Sequence, residues 1–263
     1  MNNIIGLYRR RMMMAALGSG ALSITYTGAY TDYGMVTMSD GARYRLLAFT
    51  SSGTLSIEQP VNCEVCVVGG GANGDTGGPG GAGAYMKNQV IEAFEGGAVV
   101  VGAGQGVSSI ADVSVNKVSG RNGGTGAGGK TAGRGDGISK YPFEDTGYSL
   151  WAGKPHCAGG GQGAYVHERS DGSIEGYSGG NGGTNGSNGY PQVSTLVINP
   201  HKGVGGSYGG GTGGSISHAE NATYYGSGGG GGGRYKKPDG STTAYYGGSG
   251  YQGIVYIRIP VIQ

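Results

Sequence analysis

The sequence predicts an all-β protein: an antiparallel β-sandwich interrupted by an inserted bundle of extended polyglycine-II helices. Three observations carry this. Short apolar runs, alternating or β-branched, are separated by turn residues between 21 and 118 and return at the C-terminus. Glycine supplies 64 of 263 residues, about three times the usual ~7%. The glycines also keep a beat of three, at 71, 74, 77, 80 and 83, at 120, 123, 126 and 129, at 180, 183, 186 and 189, and at 247, 250 and 253. A period of three fits neither helix nor strand, whose periods are about 3.6 and 2. It fits the three-residue turn of polyproline II, which glycine also adopts.

Composition excludes several classes. Phased glycines, apolar runs between them and a charged fraction of only 13% argue against disorder. Collagen needs long triplet arrays rich in proline, and here the arrays are short and Pro totals 8. A net charge of +2 gives no case for nucleic acid. No stretch approaches the ~20 apolar residues of a membrane span. Three cysteines cannot form a disulfide framework within one chain. Tyr outnumbers Phe, 19 to 3, which suits half-exposed aromatic sites on a polar scaffold.

Taken in order, residues 1–20 form a basic, Met-rich arm containing Tyr8-Arg9-Arg10-Arg11-Met12-Met13-Met14. Its apolar stretch is too short for a secretion signal. Adaptable methionines beside arginines suit docking into a partner's groove. Residues 21–118 are expected to form the sandwich, with strands at 22–26, 35–38, 43–49, 54–57, 63–68, 84–87, 90–94, 98–102 and 113–118. Ser39-Asp40-Gly41, Ser51-Ser52-Gly53 and Glu95-Gly96-Gly97 read as turns between them. Residues 119–250 are the glycine-rich insertion with exposed loops. Two passages within the chain, Gly80-Gly81-Ala82-Gly83-Ala84-Tyr85 and Gly160-Gly161-Gln162-Gly163-Ala164-Tyr165, both hand a glycine helix over to a strand at Tyr. Residues 251–263 carry the closing strand, Ile254-Val255-Tyr256-Ile257-Arg258-Ile259.

Packed glycine helices have no internal hydrogen bonds, so their amides must pair laterally. Only glycine lets the axes approach closely enough. A Gly→Val change at Gly74 or Gly183 is therefore expected to clash with a neighbouring segment.

Phe49-Thr50-Ser51-Ser52-Gly53, Val65-Cys66-Val67-Val68-Gly69-Gly70-Gly71, Ala84-Tyr85, Val99-Val100-Val101-Gly102-Ala103-Gly104-Gln105-Gly106 and Gly253–Ile259 occur in that order. This order resembles the glycine-rich domain of bacteriophage tail and virion proteins, and the glycine-rich extracellular domain of the anaplastic lymphoma kinase family. The resemblance spans about residues 43–260. It implies a jelly-roll-like sandwich carrying a polyglycine-II bundle. The glycine helices are also similar in character to the tip adhesins of T-even-type phage long tail fibres. No kinase domain accompanies the resemblance.

Several motifs resemble chemistry and lose on context. Gly124–Thr131 matches the phosphate-binding G-x-x-x-x-G-K-[ST] pattern, but no strand precedes it and no helix follows. Gly69–Gly74 satisfies G-x-G-x-x-G without the required helix. Cys63 and Cys66 lie on a strand, where i and i+3 face opposite sides, so they read as small buried hydrophobes and not as a zinc site. Arg134-Gly135-Asp136 and Asn221-Ala222-Thr223 are short enough to arise by chance. No catalytic constellation, metal site or cofactor site is predicted.

The strongest binding candidates are loop aromatics with nearby cations: Tyr224, Tyr225, Arg234, Tyr235, Lys236, Lys237, Tyr245 and Tyr246, with Tyr141, Trp151 and Tyr190 on two further loops. Aromatic faces suit sugar rings or protein surfaces. The bland alternative is that many of these rings cap glycine helices or pack beneath loops. With the resemblance, the expectation is a virion component that recognises a bacterial surface glycan or protein through these loops. Residues 1–20 would dock to other virion structural proteins, and copies of the chain are a further class of partner. A purely structural capsid-decoration or tail role, or a bacterial surface-matrix role, are the alternatives.

Overall fold

The computed structural model describes residues 22–118, 141–179 and 209–261, with 197–198, 202 and 204–205 between them. The regular elements are strands and one 3-10 turn at Pro142–Glu144. In chain order the strands are β1 (Ile24–Tyr26), β2 (Tyr30–Thr37), β3 (Arg43–Phe49), β4 (Gly53–Val68), β5 (Met86–Val100), β6 (Ser109–Ile110), β7 (Val113–Ser114), β8 (Tyr165–Glu168), β9 (Ile174–Tyr177), β10 (Val197–Ile198), β11 (Arg234–Lys236), β12 (Thr242–Ala244) and β13 (Ile254–Pro260). They form an eight-stranded sheet, ordered β2-β3-β13-β4-β5-β6-β7 with β1 also on β4, and a five-stranded sheet, ordered β10-β9-β8-β11-β12. The fold is all-β. No helix among the described residues is long and apolar enough to cross a membrane.

The large sheet folds over on itself. β4 and β5 are long strands that run through both halves. The runs 54–57 and 63–68, expected as separate strands, are one strand. The β4–β5 register shifts between Ser56 and Val61 and again before Cys63. Pro60 sits in that gap, where its missing N–H costs no ladder bond. Opposite the first half, Gly96 and Gly97 at φ 108° and 137° stay within the ladder, facing Ser56 and Leu55. The expected Glu95-Gly96-Gly97 turn is thus a bend inside β5. Leu55 and Ile57 from one half meet Val65, Val67, Phe49 and Ile257 from the other in one buried cluster. β13 lies between β3 and β4, antiparallel to both.

The opposite face of the sheet carries a second cluster: Leu46, Ala48, Cys66, Val68 and Tyr256 covered by Phe143, Trp151 and Cys157. Burial on both faces explains the nearly continuous apolar run at the end of β4. Cys63 and Cys66 fall in different clusters, both as free thiols. Burial pushes the Cys63 thiol up to about 12. Arg258 is clamped between the rings of Tyr44 and Phe143, 4.6 and 4.5 Å from their centres, and bonds Glu64 at 2.6 Å.

The glycine segments carry no strand assignment, yet their backbone is heavily bonded. The central segment, residues 226–233, shows the rule. Successive amides turn to different neighbours: Gly228 donates to Ala158, Gly229 to Ala72 and Gly230 to Glu220. The next three repeat the cycle, Gly231 to Gly161, Gly232 to Asp75 and Gly233 to Ser217. Its carbonyls accept in the same rhythm, from Gly81, Gly211, Gly214, Gly248 and Tyr251. Donors and acceptors therefore rotate with a period of three. Cβ atoms placed at Gly231 and Gly74 would fall onto the carbonyls of Gly78 and Gly230. Gly183, and the glycine runs at 120–129 and 180–189, lie outside the described residues.

These segments separate the two sheets. Gly71, Gly74 and Gly77 donate to Tyr251, Gly248 and Tyr245, so the pair runs antiparallel away from β4 and β13. Residues 158–164 lead into β8, and residues 226–233 into β11.

Candidate functional site

The far end of the spacer gathers many of the polar aromatic and basic residues. Arg234 follows the central segment directly and continues its bonding, with its amide on the Ala164 carbonyl. From there β11 and β12 form a hairpin that pairs Arg234 with Ala244, Tyr235 with Thr243 and Lys236 with Thr242. Lys237, Pro238, Asp239 and Gly240 make its exposed turn, which Asp239 closes by accepting from the Ser241 amide at 2.8 Å. β11 also runs parallel to β8, which places the expected cationic loop inside a sheet.

Beyond β12 the Tyr246 ring is 69% exposed and lies flat against His218, centres 5.2 Å apart and planes 7° from parallel. The Tyr246 amide donates to His218 Nδ1 at 2.9 Å. An amide can only donate, so Nδ1 carries no proton. In the neutral ring Nε2 is then the outward donor. Tyr245 meets His218 edge-on at 5.7 Å. Exposed Ile216 belongs to the same 215–218 loop. The arrangement is an exposed aromatic plate whose orientation is fixed by its own backbone. Such a plate can bind a flat apolar face; it holds no activated nucleophile.

Tyr235 behaves differently. It is half-buried and its hydroxyl donates to the Glu168 carboxylate. That bond, helped by burial, raises the Tyr235 hydroxyl above its ordinary value.

The remaining expected rings sit elsewhere. Tyr224 and Tyr225 are half-buried at the sandwich end of the spacer, packed around His156 at 4.9 and 6.1 Å. His156 is fully buried and its Nε2 shares a 3.1 Å hydrogen bond with Tyr256 Oη. Burial drives His156 down to about 3, while the nearby Lys154 backbone pulls weakly the other way.

Trp151 lies on a turn but does not face solvent. It is completely buried, with Nε1 donating to the Asp145 carbonyl at 2.5 Å, and Tyr141 packs against the same cluster. Sequence reading misplaced Trp151 because the turns around it are polar and glycine-containing; its covering partners come from β3, β4 and β13. Burial tends to raise the Asp145 carboxyl, but the Ser39 hydroxyl and the Ser39, Gly147 and Tyr148 amides outweigh that and hold it low. Tyr190 and the docking residues Tyr8, Arg9, Arg10, Arg11, Met12, Met13 and Met14 lie outside the described residues.

Two rings that sequence reading did not select join the far end. Tyr165 and Tyr177 face each other across β8 and β9, centres 6.1 Å apart. Their signal was the alternation Tyr165-Val166-His167, in which only Val166 is buried. Among the described residues, no group of three or more His, Cys, Asp or Glu could hold a metal ion. Comparison of the chain with protein-family models, curated proteins and solved structures gives no match.

Proposed function

We propose that this chain is a bacteriophage virion surface component that attaches the particle to a bacterial surface structure. In this reading the glycine segments are polyglycine-II rods. They hold a recognition end, built on the small sheet and the Tyr245–Tyr246–His218 plate, away from the sandwich. Residues 1–20 dock the chain to the particle. The observation that supports the reading most is the separation of the two sheets by a spacer whose central backbone is satisfied internally, with an oriented, exposed aromatic at the far end. The resemblance to phage glycine-rich domains gives the same direction.

The test is saturable binding of the purified chain to intact bacteria and to their extracted surface glycans. A Tyr245→Ser/Tyr246→Ser variant with an unchanged melting temperature is expected to lose that binding. Equal binding by the variant removes the Tyr245–Tyr246 plate as the recognition site, and no binding by the wild type removes the attachment reading. A purely structural decoration or tail role then follows. That second reading draws support from Trp151, which is buried, and from Tyr224 and Tyr225, which are half-buried against His156.

A further inference from the structure

The outward face of the small sheet points to the chemistry of the partner. Paired residues on adjacent strands share a face. One row therefore reads Ala244, Arg234, Tyr165, Tyr177, and the next Thr242, Lys236, His167, Glu175. Val166 and Gly176, which alternate with these residues, are buried, so the two rows face outward. Glu175 is already engaged, by Arg169 at 2.6 Å and by His167 at 3.5 Å. Arg234 and Lys236 have no carboxylate partner among the described residues. The face thus offers two neighbouring tyrosine rings and, on the strand beside Tyr165 at about 4.8 Å, two uncommitted cations.

We infer that this face binds an acidic polysaccharide whose pyranose units carry carboxylates, an inference that rests on the attachment reading. The tyrosine rings take the C–H faces of successive sugars. Arg234 and Lys236 take the carboxylates, Arg234 with the planar fork that matches them. A polyol phosphate would satisfy the cations and leave the rings unused. A neutral glucan would do the reverse.

The test uses the full chain with three probes: polygalacturonate, dextran and polyphosphate. Polygalacturonate is expected to bind in a salt-sensitive way, with dextran inert and polyphosphate a weak competitor. Binding should fall about ten-fold or more in Arg234→Gln/Lys236→Gln and in Tyr177→Leu. It should persist in Lys236→Arg and in Lys237→Gln. The Arg234 amide still reaches Ala164 in every variant, and unchanged melting confirms each fold. No polygalacturonate binding, equal polyphosphate binding, or retention by Tyr177→Leu overturns the inference. Attachment is judged separately: saturable cell binding that polygalacturonate does not compete leaves attachment standing and removes the acidic-glycan face alone.

Discussion

The sandwich and the glycine spacer solve the same problem with opposite means. In the sandwich, side chains from two halves of one sheet fill a shared core: Phe49, Leu55, Val67 and Ile257 all reach nearly complete burial. In the spacer the backbone itself is the core. Gly228–Gly233 are buried, and each of their amides donates to a different carbonyl in a threefold cycle. Core stability from side chains is graded, because a pocket can partly collapse around a smaller residue. Stability from close-packed backbone is steep, because one added methyl has nowhere to go. The spacer should therefore be far less forgiving than the sandwich.

The largest effect sharpens that contrast directly. Gly231→Ala adds one methyl onto the Gly78 carbonyl and is expected to cost about 4 kcal/mol or more. Leu47→Ala removes three carbons from the fully buried core and should cost about 3 kcal/mol. Urea unfolding of the two variants ranks them. If Gly231→Ala proves the milder, backbone packing is not the limiting contact in the spacer.

A second, intermediate effect lies at the junction of the two regions, where His156 is buried neutral. Its folded value, about 3, lies below the ordinary ~6.5. The unfolded chain therefore takes up a proton first, and stability falls as pH drops from about 6.5 toward 3. Between the two values the slope approaches about 1.4 kcal/mol per pH unit. Asp145, held below 3.8, has the same sign but acts only once pH falls through that value. His156→Phe should start less stable, having lost the Tyr256 contact, and stay flat between about pH 6.5 and 4. A wild-type profile without that fall would place a charged imidazole at the junction.

The smallest effect is expected inside the spacer at Ser227, whose buried hydroxyl has no partner among the described residues. Ser227→Ala keeps its backbone bonds to Tyr224 and Tyr251. It should leave stability unchanged or raise it by about 1 kcal/mol. A clear loss would mean that side chains matter in the spacer as they do in the sandwich.

Much of this was legible before any coordinates. The apolar runs at 43–49 and 254–259 marked two strands of the large sheet. Other features were not legible. The three-residue strands at 234–236 and 242–244 are too short to show a period, so the cationic segment read as a loop. Trp151, Tyr224 and Tyr225 looked like loop aromatics because the residues that bury them are far away in sequence.

By itself the sequence determined the all-β class. That class follows from local rules: side-chain alternation and β-branched runs bounded by turn residues. Only the tertiary structure decided which tyrosines face water, that β4 and β5 bend through both halves of one sheet, and that Arg234 and Lys236 lie beside Tyr165 and Tyr177. Each of these depends on lateral pairing between segments far apart in sequence, such as β8 with β11 and β3 with β13. Registers between distant segments are set by the whole packed molecule, not by the residues within either one.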